Sequence, residues 1–416
     1  MAPRARSSPA WIFLAVALLV PGTLLLWAAV RQSTASKLAR EVTARAEREV
    51  HVAQNFHRPR AVHRGEARPC GATRELSAVL HTLQSSAQAP RGDFNPIIER
   101  AEPIPDGWTA LVRAHGRELD ALSRALQCDH GANLAPLNAD GYSADNLGAM
   151  VRASRMMIVR ALQSPPDACL AGLVDVLALS AENAWGHGLI GAVLHDGMTK
   201  PVPAALFRCA AQATPEARAR AANALATVAR SQPADGRWVH GELTMLSLGL
   251  ARALRDISAM PSQRQDIPLW WDRPRALEIL NDVVKGLDRW ERLDAAGDPR
   301  ALERELAATE SLLMGSEATK MVTTQWTQRV QNARAGRARV MMTALVLNAW
   351  AARDASGAWS AELPALGREP AMRDPFTAAP FGWSLETASR QLTVTAAGAD
   401  GRAGTGDDVI VTFAAP

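Results

Sequence analysis

The sequence predicts a mainly α-helical protein with a single N-terminal transmembrane helix, an irregular helical bundle or solenoid as ectodomain, and a small C-terminal α+β module containing a short antiparallel sheet. Three observations support this prediction. An uncharged apolar run occupies residues 10–30, helical spacing of apolar residues extends through 70–336, and three short β-like runs follow Asp374. The predicted segments are a cytoplasmic tail at 1–9, the anchor at 10–30, a helical stalk and linker at 31–69, the helical ectodomain at 70–336 and the α+β module at 337–416.

The apolar run at 10–30 decides where the rest of the chain is placed. A helix of this length, at about 1.5 Å per residue, crosses a hydrocarbon core of about 30 Å. Trp11 and Trp27 stand near its ends, where aromatic rings favour the headgroup level. The alternative is a cleavable signal peptide with Ser33-Thr34-Ala35 as its cleavage site, although the apolar run is longer than the apolar core of a usual signal peptide. We therefore expect a single-pass protein of the bacterial inner membrane, with its large C-terminal part in the periplasm.

The composition places the chain among ordinary folded proteins. Hydrophobic residues make up 48% and charged residues 21%, which is typical of a globular rather than a disordered chain. The net charge is +4, and the arginines are scattered rather than gathered in a stripe with aromatic residues. Nucleic-acid binding is therefore not expected.

The four cysteines favour an oxidising compartment. Cys70, Cys128, Cys169 and Cys209 all follow the anchor and lack the CxxC spacing of zinc or redox sites. The simplest pairing is sequential, Cys70 with Cys128 and Cys169 with Cys209, although four cysteines allow three connectivities. The alternative is four buried free thiols.

Capping residues and prolines predict several helix starts in the ectodomain. These are Asp106, Ser143, Asp167, Thr214 before Pro215, Asp272 and Asp298. No stretch between 70 and 336 alternates with a period of two, so this part is predicted to be all-helical. No fixed repeat of 30 to 45 residues is found, which argues against a regular repeat array.

The final eighty residues combine one helical segment with short β-like runs, unlike the helical ectodomain before them. A helix over Arg337–Trp350 is followed by predicted strands at Phe381–Leu385, Gln391–Thr395 and Val409–Phe413, of which the first two would form a hairpin. A loop of small and acidic residues, AAGADGRAGTGDD, joins the last two strands. Its carboxylates Asp400, Asp407 and Asp408 are hard oxygen ligands on a glycine-rich turn, so the loop is a candidate calcium site. The alternative is a solvated turn.

This C-terminal segment resembles the globular end of the major pseudopilins of type II secretion, the pseudopilin G family. The resemblance rests on the apolar helix Ala338–Ala352, on Gly357–Pro364, on Asp374-Pro375-Phe376 with Pro380-Phe381, and on Gly398-Ala399-Asp400-Gly401 with Gly404–Val409. In that family the last loop binds calcium, which implies ligands among Asp400, Asp407 and Asp408.

The chain departs from that family near its start. Pro9-Ala10-Trp11 stands where the family has a prepilin peptidase site, no glutamate follows in the membrane run, and about 300 residues separate the anchor from the module. The central segment CLAGLVDVLALSAENAWGHGLIGAVL resembles the middle region of uncharacterised, membrane-anchored helical proteins of bacteria. That second resemblance implies no activity.

Enzyme motifs such as a nucleophile elbow, a phosphate loop or HExxH are absent from the sequence. Glu182, His187 and His195 are the best catalytic candidates, but their spacings of five and eight residues would not form a tight site on one helix. We therefore favour a structural or interaction role, with the membrane and envelope or secretion-system proteins as partners. Two alternatives stay open: a membrane-anchored hydrolase with its site in the helical domain, and an atypical pseudopilin-like component of a secretion apparatus.

Overall fold

The computed structural model of the chain is mainly helical, with a small three-stranded antiparallel sheet near the C-terminus. It describes residues 9–55, 63, 65–85, 94, 97–98, 101–130, 145–186, 188–255, 269–320, 325–386, 388 and 390–414. The mainly helical class and the C-terminal sheet are therefore confirmed. The tail at 1–8 and the predicted cap Ser143 lie outside the described residues.

The elements follow one another along the chain with short connections. The helices are α1 (Pro9–Asn55), α2 (Ala72–Ser85), α3 (Asp106–Ala114), α4 (Gly116–Ala125), α5 (Asp145–Leu162), α6 (Pro166–Gly186), α7 (Gly188–Thr199), α8 (Val202–Gln212), α9 (Pro215–Arg230), α10 (Asp235–Arg255), α11 (Leu269–Lys285), α12 (Asp288–Ala296), α13 (Pro299–Leu313), α14 (Glu317–Lys320) and α15 (Trp326–Ser356). Two 3-10 turns occupy Ala365–Arg368 and Pro370–Met372. The strands are β1 (Arg68–Gly71), β2 (Cys128–His130), β3 (Gly382–Glu386), β4 (Gln391–Ala396) and β5 (Val409–Ala414).

The predicted anchor and the predicted stalk belong to one continuous helix, α1. Pro21 and Gly22 do not interrupt it. Farther along, Ala35, Ala39, Val42 and Ala46 are 0 to 1% exposed and recur at three- to four-residue intervals. This spacing places them on one face of the helix, so the stalk segment is packed along that face.

One helical stretch among the described side chains is long and apolar enough to cross a bilayer. It is Pro166–Trp185, and 78% of it is buried inside the protein. Length and composition alone do not distinguish a membrane span from a core helix. The stretch is buried to the extent expected for a helix in the core of a folded protein.

The chain divides into two compact units. The first contains Met1–Arg48, Leu246–Gly286 and Thr309–Thr324. Within it, the guanidinium group of Arg273 donates to Oε1 of Gln32 at 2.9 Å and to Oγ of Ser36 at 3.1 Å. These hydrogen bonds tie α11 to α1.

The second unit contains Glu49–Met245, Leu287–Ala308 and Gln325–Pro416. Its hydrophobic core extends from α2 to β5 and includes the buried face of the C-terminal sheet. Helix α15 contacts α7, α9, β4 and β5, and its segment from Val340 to Leu347 is buried almost without interruption. A helix buried on all sides loses the one-sided apolar pattern of a surface helix.

The three-stranded sheet has the order β3-β4-β5 and is antiparallel throughout. Leu392 pairs with Leu385 on one side and with Phe413 on the other. In β5 the residues alternate strictly between buried and exposed, as expected for a sheet with one face on the core. The predicted strands and hairpin are confirmed to within one residue at each end.

Both predicted cysteine pairs are at disulfide distance. The Cα atoms are 4.9 Å apart in Cys70–Cys128 and 6.0 Å apart in Cys169–Cys209, within the normal range for a disulfide. The first pair joins β1 to β2, and the second joins α6 to α8. The sequential pairing is therefore confirmed, and no free cysteine is found among the described residues.

Three local expectations are corrected. Strands β1 and β2 form a short parallel pair, although only helices are expected over 70–336. The helix predicted from Asp106 breaks at His115, whose φ of −113° and ψ of 25° lie outside the helical region, just before Gly116. Asp272 does not start a helix, because α11 begins at Leu269. Its carboxylate instead accepts hydrogen bonds from Ser316 and from the backbone N–H of Ala318 at the start of α14.

The predicted caps at Thr214 and Asp298 are confirmed. The hydroxyl of Thr214 accepts a hydrogen bond from the N–H of Ala217 at 3.2 Å, and Pro215 occupies the first position of α9. Oδ1 of Asp298 accepts from the N–H groups of Arg300 and Ala301 at the start of α13. Asp167 lies in the first turn of α6, close to its predicted start.

Candidate functional site

The acidic loop of the C-terminal module lies between the end of β4 at Ala396 and the start of β5 at Val409. It reverses direction through two glycines in the left-handed region, Gly401 with φ of +67° and Gly404 with φ of +89°. Residues with a side chain rarely adopt such angles, so glycine at these positions allows the loop to fold tightly. The three predicted ligands are thereby brought together.

The three carboxylates converge on one hydroxyl group. Oγ1 of Thr405 lies 3.3 Å from Oδ1 of Asp400, 2.7 Å from Oδ1 of Asp407 and 3.3 Å from Oδ1 of Asp408. A hydroxyl carries one proton, so it can donate fully to only one of these oxygens. The other oxygens form a concentrated negative site at the surface of the loop.

Backbone N–H groups hold the same carboxylates in place. Asp400 N donates to Oδ2 of Asp407 at 3.0 Å, Gly404 N donates to Oδ2 of Asp408 at 2.7 Å, and Arg402 N donates to Oδ1 of Asp400 at 2.8 Å. The hydroxyl of Thr405 and then the N–H of Asp400 lower the pKa of Asp407 below its usual value. The carboxylate of Asp407 is therefore ionised at neutral pH.

The donor atoms of the loop are of the kind that calcium binds, although the carboxylate oxygens of Asp400, Asp407 and Asp408 do not all lie within 4.8 Å of one another. Calcium takes six to eight oxygen ligands from carboxylates, hydroxyls, backbone carbonyls and water, in flexible geometry. Asp400, Asp407 and Asp408 supply the carboxylates, and the backbone carbonyl of Asp407 lies directly against Gly398, where a Cβ atom would be 2.2 Å away. Gly398 is needed for this close approach. Sequence reasoning named the three aspartates but missed Thr405, whose position two residues before Asp407 is a local signal for a side-chain hydrogen bond.

No protein-family model, characterised protein or solved structure matches this chain. The resemblance of the C-terminal segment to major pseudopilins therefore stays a prediction, as does the resemblance of the central segment to membrane-anchored helical proteins of bacteria.

Asp374 explains the Asp-Pro-Phe motif in structural terms. Its side chain is 3% exposed and accepts from the N–H of Phe376 at 2.9 Å, the hydroxyl of Thr377 at 3.1 Å and the N–H of Ala397 at 2.9 Å. Ala397 directly follows β4. Asp374 thus ties the turn at 374–379 to the start of the acidic loop, while its burial raises its pKa.

Two of the three catalytic candidates of the helical domain, Glu182 and His195, lie on separate helices. Nδ1 of His195 on α7 lies 2.7 Å from Oγ of Ser180 on α6, and both side chains are 0% exposed. Burial lowers the pKa of His195 to about 4, so this imidazole is neutral at physiological pH. Glu182 is on α6 and is also buried, while His187 lies outside the described residues.

The partner of His195 was not identified from the sequence. Ser180 is fifteen residues away on another helix, and no spacing rule connects the two. Gly336 of α15 packs on the other side of the imidazole ring, where a Cβ atom would be 3.0 Å from Cδ2 of His195. The pair is therefore enclosed by three helices.

Proposed function

We propose that this chain is an anchored protein of the bacterial envelope with a structural or interaction role, whose C-terminal loop binds calcium. The convergence of Asp400, Asp407 and Asp408 on the hydroxyl of Thr405 is the single observation that supports it best. Three carboxylates repel one another when they share a site without a cation. A bound divalent ion would turn this repulsion into attraction.

The proposed placement in the periplasm rests on the cysteines and on α1. Disulfides persist in oxidising compartments and are rare in the cytosol of most bacteria. Leu26, Trp27 and Val30 of α1 are 50 to 67% exposed, which is unusual for a cluster of large apolar residues. A bilayer covering residues 10–30 would bury them. Arg31 lies over the ring of Trp27 at 4.7 Å, an arrangement suited to the end of a membrane span.

A non-enzymatic role is preferred to a hydrolase in the helical domain. Ser180 and His195 have the spacing of a nucleophile and its base, but both are completely buried, so a substrate would reach them only if the helices separated. A buried neutral imidazole bonded to a hydroxyl is well suited to joining two helices.

Calcium binding is tested by thermal unfolding of the purified full chain, once in the presence of calcium and once in the presence of a chelator. We expect calcium to raise the unfolding temperature of the wild type, because a ligand of the folded state adds roughly 2.7 kcal/mol at a hundredfold excess over its Kd. Asp407→Asn should abolish the shift. Asp282→Asn, which removes an exposed aspartate of α11 outside the loop, is the matched control and should keep it. Equal unfolding temperatures with calcium and chelator in the wild type would overturn the calcium site.

The anchor is tested separately. Membranes from expressing cells are washed with alkaline carbonate, and spheroplasts are treated with protease. We expect the chain to stay in the membrane pellet and its C-terminal part to be digested from the periplasmic side. Release by carbonate, or protection of the C-terminal part with reduced thiols, would contradict the placement without affecting the calcium result.

A further inference from the structure

A cavity of about 210 Å³ lies beside the C-terminal module, apart from the acidic loop. It is lined by the first residues of α10, the end of α12, the start of α13, the middle of α15 and the turn at 370–378, all within the second unit. Leu293, Leu302 and Pro299 form an apolar part of its wall. The volume suits a small organic molecule rather than a polymer.

Two buried polar atoms on this wall lack hydrogen-bond partners among the described residues. Asp235 is 6% exposed, and its Oδ2 accepts from Nε of Arg334 at 2.5 Å, but its Oδ1 has no hydrogen bond. Nε of Arg337 is a buried donor without an acceptor. Nη1 of Arg337 forms an ion pair with Oδ1 of Asp235 at 3.5 Å, but this contact provides no hydrogen bond to Oδ1 of Asp235 or to Nε of Arg337. Buried polar groups of native proteins are normally paired.

The charges of the cavity are of both signs. Asp294 lies next to Asp235, and it accepts hydrogen bonds from the backbone N–H of Gly236 at 2.9 Å and from the backbone N–H of Arg237. Burial raises the pKa of Asp294 to about 6, and the charge of Asp235 adds to this effect. Arg373 is an exposed residue whose described side-chain hydrogen bond is a long one, 3.5 Å, to the carbonyl oxygen of Ala378. The wall therefore combines two buried atoms without hydrogen bonds, Oδ1 of Asp235 and Nε of Arg337, with the partly buried carboxylate of Asp294 and the exposed guanidinium of Arg373.

We propose that this cavity binds a small zwitterion of the α-amino acid class, with its ammonium group on Asp235 and Asp294 and its carboxylate on Arg337 and Arg373. Such a ligand supplies both missing partners, a donor for Oδ1 of Asp235 and an acceptor for Nε of Arg337. The apolar wall at Leu293 and Leu302 receives its side chain.

Simpler ligands match the wall less well. A metal ion at Oδ1 of Asp235 would supply no acceptor to the buried Nε of Arg337. A simple anion on the two arginines would face the carboxylates of Asp235 and Asp294. A ligand with both charges supplies a donor to Oδ1 of Asp235 and an acceptor to Nε of Arg337 at the same time.

The experiment compares matched ligands by calorimetry and thermal unfolding of the full chain. The probes are L-alanine, L-leucine and L-glutamine, with 3-methylbutylamine and 4-methylpentanoate as the forms of leucine that lack one charged group each. We expect at least one amino acid to bind and to raise the unfolding temperature, and both single-charge analogues of leucine to bind at least tenfold more weakly than leucine or not at all.

Substitutions of residues that line the cavity test whether the amino acid binds there. Arg373→Gln and Asp294→Asn should each weaken binding about tenfold or more. Arg368→Gln, which removes an exposed arginine that pairs with Glu362 outside the cavity, should leave binding unchanged. Asp235 is not altered, because loss of its ion pair with the buried Arg334 would endanger folding. Absence of binding by all three amino acids, equally tight binding of an analogue, or full affinity in folded Arg373→Gln protein would overturn the proposal.

Discussion

The rings of Trp350 and Phe413 lie with their centroids 4.5 Å apart at an angle of 42°. Trp350 belongs to the central helix α15, and Phe413 belongs to the last strand β5. Phe207 of α8 approaches the same phenyl ring at 5.1 Å. The C-terminal sheet therefore shares its core with the helices instead of forming a separate hydrophobic centre.

This shared core predicts that a change in the last strand destabilises the helical unit. Phe413→Ala should lower the free energy of unfolding by about 3 to 5 kcal/mol, because it leaves a cavity between α8, α15 and the sheet. Urea unfolding followed by the helical circular dichroism signal measures the effect. Thr412→Ala, on the exposed side of the same strand, should change it by less than about 0.5 kcal/mol. Equal effects of both variants would mean that the sheet is not coupled to the helices.

Gly336 is predicted to be intolerant of a side chain. A Cβ atom there would lie 2.9 Å from Cα of Asp196 and 3.0 Å from Cδ2 of His195. Gly336→Ala should therefore destabilise the protein by about 1 to 3 kcal/mol through overpacking, as measured by urea unfolding. Gly148→Ala is the control, because that helical glycine has no atom within 4 Å of the Cβ position. It should stabilise the protein by up to about 1 kcal/mol, so a stabilising Gly336→Ala would contradict the close packing of α15 on α7.

The partly buried Asp294 and the buried His195 predict opposing pH dependences of stability between pH 4 and 6.5. The pKa of Asp294 is raised to about 6, so the folded state keeps a proton that the unfolded state has lost, and stability falls as pH rises through this window. The pKa of His195 is lowered to about 4, so the unfolded state takes up a proton first, and stability falls as pH decreases below 6.5. At about 1.4 kcal/mol per pKa unit, each contribution is of the order of 3 kcal/mol.

The variant Asp294→Asn separates the two contributions. It keeps an oxygen for the N–H of Gly236 but no longer titrates, so its free energy of unfolding should rise more steeply with pH from 4 to 6.5 than that of the wild type. Urea unfolding at several pH values measures the slopes. Asp282→Asn, at an exposed site, should follow the wild type. Parallel curves for the wild type and Asp294→Asn would show that Asp294 titrates normally.

Each disulfide is predicted to stabilise the folded chain by about 2 to 4 kcal/mol. The paired residues are 40 positions apart in Cys169–Cys209 and 58 apart in Cys70–Cys128. The entropy of loop closure grows only logarithmically with length, so the two Cys-to-Ala double variants should lose similar amounts. Urea midpoints under non-reducing conditions test this expectation. Identical midpoints for oxidised and reduced wild type would contradict it.

Local signals in the sequence account for much of the fold. Thr214 and Asp298 cap the helices that they were expected to cap, because capping depends on residues within one turn. The strands observed at 391–396 and 409–414 were predicted at 391–395 and 409–413 from short β-like runs, a signal that likewise depends on near neighbours. The interpretation of Asp272 as a cap was wrong, because its carboxylate bonds to Ser316 and Ala318, more than forty residues away.

The two candidate sites also differ in whether they could be recognised from neighbouring residues in the sequence. The acidic loop was recognisable because its three aspartates and two turn glycines lie within nine residues of one another. The charged cavity was not recognisable, because Asp235, Asp294, Arg337 and Arg373 come from four separate parts of the chain.

By itself, the sequence determined the helical class, the three C-terminal strands, the simplest pairing of the cysteines and the three aspartates of the loop, since each follows from the identity and order of nearby residues. The tertiary structure alone decided that Ser180 meets His195, that Phe413 packs on Trp350 and that opposite charges line one cavity. These contacts join residues far apart in the chain, and they form only when burial of apolar surface brings the helices and the sheet together.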